Sequence, residues 1–391
     1  MNRKLSSTKQ KNNANRSFRV LCKPEQLEER RCFNVDIGIA NHGHTLEIEG
    51  DRANDSIVIV QDNAGVHVTA NGGRTQDFSG ISKVIVNSGA GDDVVSIRTL
   101  VDPSERSIID PNNRNLDIAV NLGAGNDRFD GVFGAQAGLR MNVNGGAGDD
   151  VLNSQIVGSI GELVPAVAPN PIEFHFLGGA GDDTFKTLIG GSNEQLIPAV
   201  MPTPIVIVQD GGAGDDTFSN TIRNVQLNGH VRLNIDGGAG DDRILETFDH
   251  AHINAGLDLD VLGGQGDDEL GLIGQPRIVT ERGFDPSFVA MSQVRMRFDG
   301  GAGNDRISGE ITPCVLPAGL LDMVFAGGAG DDIFDFDFQF EASAKSPNRY
   351  GAIAISVLGG AGVDQLHLKT ENLTSSVSPI SLRTESIERL Q

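Results

Sequence analysis

Short runs in which every second residue is apolar recur along this chain, and each run ends at the same kind of turn. In VRLNIDGGAGDDRIL, residues 231–245, the apolar Val231, Leu233 and Ile235 alternate with polar neighbours before three glycines and two acids, and Ile244 resumes the pattern. A period of two is a strand with one buried face. The hexapeptide turn occurs as SGAGDD at 88–93, LGAGND at 122–127, GGQGDD at 263–268, GGAGND at 300–305, GGAGVD at 359–364, and GGAGDD at 145–150, 178–183, 211–216, 237–242 and 327–332. Four residues before each copy stand Val84, Ile118, Met141, Phe174, Ile207, Leu233, Leu259, Met296, Met323 and Ile355, all apolar. Two residues before, only Gln209 breaks the apolar series. The second residue after each copy is apolar again, as in Val95, Phe129, Leu152 and Phe334. The unit is therefore strand, glycine-acid turn, strand, in a fixed register.

The last Asp of the turn recurs after 23 to 37 residues, a length that suits one coil of a solenoid whose coils bury their apolar faces against each other. The pattern predicts an all-β fold, a right-handed parallel β-solenoid (β-helix or β-roll) of about ten coils, with the Gly-Asp turns stacked on one edge. Uneven spacing predicts loops of different size away from that edge. ELVPAVAPNPIEFHFLGGAGDDTF and QLIPAVMPTPIVIVQDGGAGDDTF align with Pro165, Pro169 and Pro171 in step with Pro198, Pro202 and Pro204, which reads as a duplicated coil. Those prolines belong to a connection, since a central strand cannot spare their N–H groups. HTLEIEGDRANDSIVIV reads as a degenerate copy, with Asp55 where the last acid falls. The expected organisation is a basic leader over 1–33, a degenerate opening coil or cap over 34–80, the repeat array over 81–372, and a closing strand or tail over 373–391.

Composition sharpens this picture. There is no Trp and only Tyr350 among tyrosines, so the core is Val, Ile, Leu and Phe, the residues of strands. Of the 50 glycines, 28 lie in the turns, so the glycine excess is local. A formal charge of −22 disfavours nucleic acid and anionic membranes as partners and favours cations. Cys22, Cys32 and Cys314 are an odd set and supply no disulfide framework. No segment is apolar over a length that spans a bilayer, and the leader, with nine Lys/Arg and three Glu in residues 1–31, lacks a secretory apolar run.

The turn itself carries the chemistry. Glycines free the backbone so that carbonyls converge on one spot. Coils stack about 4.8 Å apart, which brings like carboxylates together. Two such charges about 5 Å apart repel by roughly 3 kcal/mol at an effective dielectric near 20. A hard divalent cation between turns relieves this, and Ca²⁺ suits carbonyl and carboxylate oxygens better than Mg²⁺, which holds its water. Ten turns leave about nine gaps, so full occupancy would add about +18 and nearly cancel the formal charge.

Extended by three residues, as in GGAGDDRIL, the turn resembles the calcium-binding nonapeptide of RTX (hemolysin-type) proteins. The resemblance implies that the sixth-position side chain binds Ca²⁺ with backbone oxygens of the glycine turn. It maps onto Asp93, Asp127, Asp150, Asp183, Asp216, Asp242, Asp268, Asp305, Asp332 and Asp364. The looser fifth position holds Asp92, Asn126, Asp149, Asp182, Asp215, Asp241, Asp267, Asn304, Asp331 and Val363. Val363 makes the final turn the weakest, and Ser88 and Leu122 replace the first glycine of the first two. Family repeats run in tandem every nine residues, whereas single copies here are separated by whole coils, so shared ions require every turn to align on one edge. The leader FRVLCKPEQLEERRCFNV resembles the N-terminal motif of large surface or exported proteins of planctomycete bacteria, which implies export. The function expected is an extracellular or cell-surface calcium-binding protein, structural or adhesive. Its partners would be calcium ions and cell-surface or matrix components, without nucleic acid or membrane insertion.

Other readings follow from other residues. An Asp after Gly can simply bond its own turn. His250 and His252 would share a strand face and form a transition-metal pair, without a third ligand nearby in sequence, and His42 and His44 are alike in this. Phe334, Phe336, Phe338 and Phe340 alternate with Asp335, Asp337, Gln339 and Glu341, which reads as a half-buried strand before it reads as an acidic comb. Parallel β-helices also host polysaccharide lyases and hydrolases, the alternative function. Here sugar stacking lacks Trp, and neither HExxH nor GxSxG is present, so the chain is expected not to be an enzyme.

Overall fold

A computed structural model describes residues 35–62, 64–99, 116–134, 138–158, 170–191, 199–274, 277–279, 283–285, 288–290, 292–311, 313–315, 319–339, 352–371 and 380–390. The leader, with Cys22 and Cys32, lies outside these residues, as do Pro165, Pro169, Pro198 and Phe340.

Strands that run into the turns lie side by side in one sheet, from Thr45–Glu49 through Asp117–Ala124 and Val231–Ala239 to Ile380–Glu385. Of its thirteen strands, only the first, Asp36–Ala40, is antiparallel to its neighbour. The other twelve pair in parallel, one from each coil. Strands that leave the turns pair likewise in a second sheet, from Ser56–Gln61 to Arg389–Leu390. The chain thus crosses at the turn from one sheet to the other and repeats, which is a parallel β-solenoid. It has about twelve coils, where the turn motif alone suggested about ten. The two extra coils are the ones without a GxGxD turn: the degenerate one around Asp55, and a closing one built from residues 380–390.

Register is the same at every step. Val143 lies opposite Val120 and Phe176, and Gly146 opposite Gly123 and Gly179. Along Arg140–Ala147 the burial alternates, with Met141 and Val143 inside and Arg140 and Asn142 outside. The inward residues of both sheets meet in one core in which rings stack coil on coil: Phe185 and Phe218 lie 4.4 Å apart and nearly parallel, and Phe325 meets Phe336 across the sheets at 4.4 Å. Each such side chain contributes about 1.5–3 kcal/mol by burial, so a coil is stable only with a neighbour on each side. Phe334, Phe336 and Phe338 are buried, and Asp335 and Asp337 outside them pair with Arg306 and Lys369.

Two features were not expected. Asn224 and His250 adopt left-handed backbone angles (φ 45° and 57°) and drop out of the ladder between their strands. Beyond them the chain turns and starts a third, short parallel ladder through Ala199–Met201, Val225–Leu227, Ala251–Ile253, Phe288–Ala290 and Pro313–Val315. Pro202 and Pro204 sit in the corner between Ala199–Met201 and Ile205–Ala213, outside any strand. The Pro204 carbonyl accepts from the Ile172 amide at 2.9 Å.

The second feature is a polar column inside the core. Ser154, Thr187, Asn220 and Glu246 occupy one inward position in four successive coils. Gln209, the exception in the apolar series, reaches them from the opposite sheet. Its Nε2 donates to Thr187 Oγ1 at 3.0 Å and its Oε1 accepts from Asn220 Nδ2 at 2.7 Å. Asn220 Nδ2 also donates to Glu246 Oε1 at 2.7 Å, and the Ser154 and Thr187 hydroxyls lie 3.1 Å apart. Glu246 is 1% exposed, and burial pushes its carboxyl up to about 8 against the pull of the Asn220 amide.

A group whose folded pKa is raised stabilises the fold fully below its unfolded value, about 4.3, and loses that contribution as pH rises to about 8. Glu246→Gln keeps the Asn220 bond without the ionisable proton. Denaturant titrations are therefore expected to show E246Q equal to the parent near pH 5 and more stable than it at pH 9; equal loss for both at pH 9 would remove Glu246 as the cause.

Candidate functional site

The ten turns form one column. Each glycine in the motif has its own reason. The second and fourth positions take φ of 104–150° in every copy, open to glycine and strained for any L side chain. A β-carbon there would run into the backbone of the preceding coil, as at Gly238 against the Gly212 carbonyl and Gly240 against the Gly214 carbonyl. The first glycine has ordinary backbone angles and is needed for a different reason. At Gly145, the place of a β-carbon is filled from one side by Asp150 Oδ2 and from the other by the carbonyl oxygen of Gly178 in the next coil. The same pair recurs from Gly178, with Asp183 and Gly211, to Gly327, with Asp332 and Gly359; at Gly300 the three nearest atoms all belong to Asp305. At Gly359 the Ser386 carbonyl of the closing coil takes the second place.

The sixth-position Asp points inward. Asp93, Asp127, Asp150, Asp183, Asp216, Asp242, Asp268, Asp305, Asp332 and Asp364 are all buried, none more than 2% exposed. The first nine each donate their own backbone N–H to Oδ1 of the equivalent Asp in the following coil, at 2.7–3.0 Å. The carboxylate therefore bonds a neighbouring coil and not its own turn. A charge-assisted bond of this kind offsets part of the mutual repulsion that bare stacked carboxylates would suffer. Both ends of the ladder are capped. At the start Asp55 N–H donates to Asp93 Oδ1 at 2.7 Å, while Asn71 Nδ2 supplies Asp55 Oδ1 at 2.7 Å and the Asp51 amide supplies its Oδ2 at 3.0 Å. At the finish the Asp364 amide donates to Glu388 Oε2 at 2.8 Å.

The fifth position makes a second ladder, exposed and opposite in sense. Asn126, Asp149, Asp182, Asp215, Asp241, Asp267, Asn304, Asp331 and Val363 each donate a backbone N–H to Oδ1 of the preceding coil's residue, beginning with Asp92, at 2.7–3.0 Å. Asp92 itself donates to Asn54 Oδ1 at 3.0 Å. Asp and Asn both serve because the ladder bond needs only Oδ1; Asn304 Nδ2 in addition donates to Asp267 Oδ1 at 3.2 Å. Val363 ends the series, where a residue must donate and need not accept.

The two ladders leave one group over. Oδ2 of all ten sixth-position Asp residues is buried without a hydrogen-bond partner. Burial pushes Asp150, Asp216, Asp242, Asp268 and Asp305 up to about 7, and Asp127, Asp183 and Asp332 up to about 6. The accepted amide pulls each back, and neighbouring carboxylates of the column add to the rise. Asp93 and Asp364 are raised for the same reason.

Among the described residues no three His, Cys, Asp or Glu side chains converge on a point. The oxygens beside the first glycine are one carboxylate and one backbone carbonyl per turn, so they form no side-chain cluster. The histidine pair does not assemble a site either. His250 sits at the left-handed bulge with Nδ1 against Asp249 Oδ1, and Asp249 Oδ2 forms an ion pair with Arg223 Nε at 3.1 Å. His44 Nδ1 lies 2.9 Å from the Gly80 carbonyl, and the His42 side chain is outside the described set. No helix among the described residues is long and apolar enough to cross a membrane. Comparison with family models, with curated proteins and with solved structures finds no match to this chain.

Raised carboxylate pKa values have a definite sign. Between about 4, the unfolded value, and about 7, the folded protein binds protons that the unfolded chain releases, so stability falls as pH rises and levels off above that window. With a chelator present, the denaturant midpoint is expected to be higher at pH 5 than at pH 8. A midpoint that rises from pH 5 to pH 8 in chelator would show that the column is not protonated at its buried oxygens.

Proposed function

We propose that this chain is an extracellular calcium-binding repeat protein, structural or adhesive, whose solenoid is completed by Ca²⁺ held along the column of turns. The observation that carries this reading is a contrast between the two ladders. At the fifth position, which is exposed and whose ladder uses Oδ1 alone, Asn126 and Asn304 replace Asp, and Asn304 Nδ2 also donates to Asp267 Oδ1. At the sixth, where Oδ1 alone is again hydrogen-bonded, all ten turns keep Asp. An Asn there would preserve the ladder and turn the unpartnered oxygen into an N–H aimed beside a carbonyl, relieving both repulsion and burial. A sequence under no demand except folding gains by that exchange. Ten retained anionic oxygens, each beside a backbone carbonyl, fit a hard cation with oxygen ligands.

The residues that would hold the ion are the sixth-position Asp, through Oδ2, and the first-position carbonyl of the next coil. Calcium, when bound, supplies the positive charge that a proton supplies at lower pH. The chain's own part is to fix both oxygens by stacking and, with the first glycine, to keep a side chain from coming between them; the further oxygen ligands that calcium requires would come from other backbone carbonyls of the turns or from water. Sites of this kind, with few charges each, suit the millimolar calcium outside cells, and ions that bind only the stacked form stabilise it by mass action. Condensation on meeting calcium after export, and display to cell-surface or matrix components, belong to the same proposal.

Calorimetric titration of the chelated protein with calcium, together with far-ultraviolet circular dichroism, is the test. Several ions bound per chain with a gain of strand signal or of melting temperature are expected. Fewer than about two ions with an unchanged spectrum and melt would defeat the reading.

A further inference from the structure

The first position of the turn is not a glycine everywhere, and the exceptions are instructive. In the turn at 88–93 it is Ser88, fully buried. Its hydroxyl donates to the carbonyl of Leu122, the first-position residue of the next coil, at 2.7 Å, and it also favours the charged form of Asp93. The serine oxygen therefore stands in the space that lies between carboxylate and carbonyl in the glycine turns and gives its one proton to the carbonyl, while Asp93 Oδ2 stays without a hydrogen-bond partner. In the turn at 122–127 the first position is Leu122, fully buried, in the same register as Gly145, since Asn121 and Gly123 pair with Asn144 and Gly146. An isobutyl group grows from the point that the Oδ2 and carbonyl oxygens flank elsewhere. In the degenerate turn before them Gly50 is flanked by the same kind of pair, Asp55 Oδ2 and the Ser88 carbonyl, but Asp55 has both oxygens satisfied by Asn71 and the Asp51 amide.

We infer that the three N-terminal turns are closed by the protein itself and that only the eight turns from Gly145 to Gly359 take a cation. This rests on the calcium reading above and narrows it. The chain-wide count is eight, against the ten that ten equivalent turns would offer with Ser386 of the closing coil completing the last, and the ions are confined to residues 145–390. Ser88 acts as a covalently attached substitute for the ligand, a donor that reaches the carbonyl without adding positive charge. Leu122 acts by bulk. Asp127 then stays buried with an unpartnered oxygen and no room for an ion.

The test is equilibrium dialysis of the full chain against radiolabelled calcium, with anomalous diffraction to locate the ions. Three variants accompany the parent: Ser88→Gly, Leu122→Gly and Leu122→Ser. The two Leu122 variants lose nearly the same packing, and only the glycine opens the space. The expected result is eight ions in the parent with none beside Asp93 or Asp127, one more in S88G, one more in L122G, and no gain in L122S. Ions beside Asp93 or Asp127 in the parent would overturn the inference while leaving calcium binding intact. So would folded S88G and L122G with the parent's count. A parent that binds no calcium at all would instead remove the reading on which the inference stands. S88G, a small change at a tolerated position, keeps the test decisive if the Leu122 variants fail to fold.

Discussion

The structure depends on one arrangement, a carboxylate buried in every coil directly above the same carboxylate of the coil before it. Burying an unpaired charge is among the most unfavourable things a protein can do, and doing it in a column adds repulsion to desolvation. The chain meets half of the demand itself: each Asp takes a backbone amide from its neighbour on Oδ1. Oδ2 is left to something else, a proton or a cation. The apolar core pulls the coils together, and what neutralises these oxygens decides how firmly they stay. A proton on Oδ2 removes its charge, and on the calcium reading proposed above a cation would offset that charge at the same atom, so acid and calcium would act in the same direction.

The glycines follow from this arrangement and do not share one cause. Gly238 and Gly240 are required by left-handed backbone angles and by the closeness of the preceding coil. Gly237 is required because Asp242 Oδ2 and the Gly263 carbonyl occupy the place of a side chain. The residue between the second and fourth positions has neither constraint. There Gln265 replaces the usual Ala, with its strand partners Ala239 and Ala302 unchanged. A motif that looks uniformly flexible is thus specified position by position by its neighbours along the stack.

Much of this was legible in the sequence, and the part that was not has a physical reason. Alternation before the turn, as in Val231, Leu233 and Ile235, marks inward residues because strand side chains alternate whatever the partner. Recurrence at a fixed place after that alternation put the turns on one edge. The direction of the Asp side chain was not readable. Electrostatics between like charges points to a cation, whereas the nearest available donor is a backbone amide, which no pattern of side chains reveals. The caps were hidden for the same reason: Asn71 and Glu388 lie in stretches without the motif and act by standing where a neighbouring coil would have been. The third ladder depends on left-handed angles at Asn224 and His250, residues that adopt them only where the fold asks. Gln209 was visible as an exception, but its partners Thr187 and Asn220 come from the other sheet and share no period with it.

The two ends of the array differ in a way that bears on how it forms. In a solenoid each coil contacts only its neighbours, so order spreads from whichever coils are stable alone. At the N-terminal end Asp36–Ala40 closes the first sheet by antiparallel pairing, and the second sheet folds into a hairpin through Ser56–Gln61 and Val66–Ala70. There too Asp55 has both carboxylate oxygens bonded from within, by Asn71 and the Asp51 amide, and the Ser88 hydroxyl bonds the Leu122 carbonyl beside Asp93. From Asp93 to Asp364 every turn adds a buried carboxylate oxygen without a hydrogen-bond partner, and what changes along the array is the first position, Ser88 and Leu122 before the eight glycines. On the calcium reading proposed above, the N-terminal coils would be the template on which the rest condenses, with dependence on an external charge beginning where the first glycine of the turn begins.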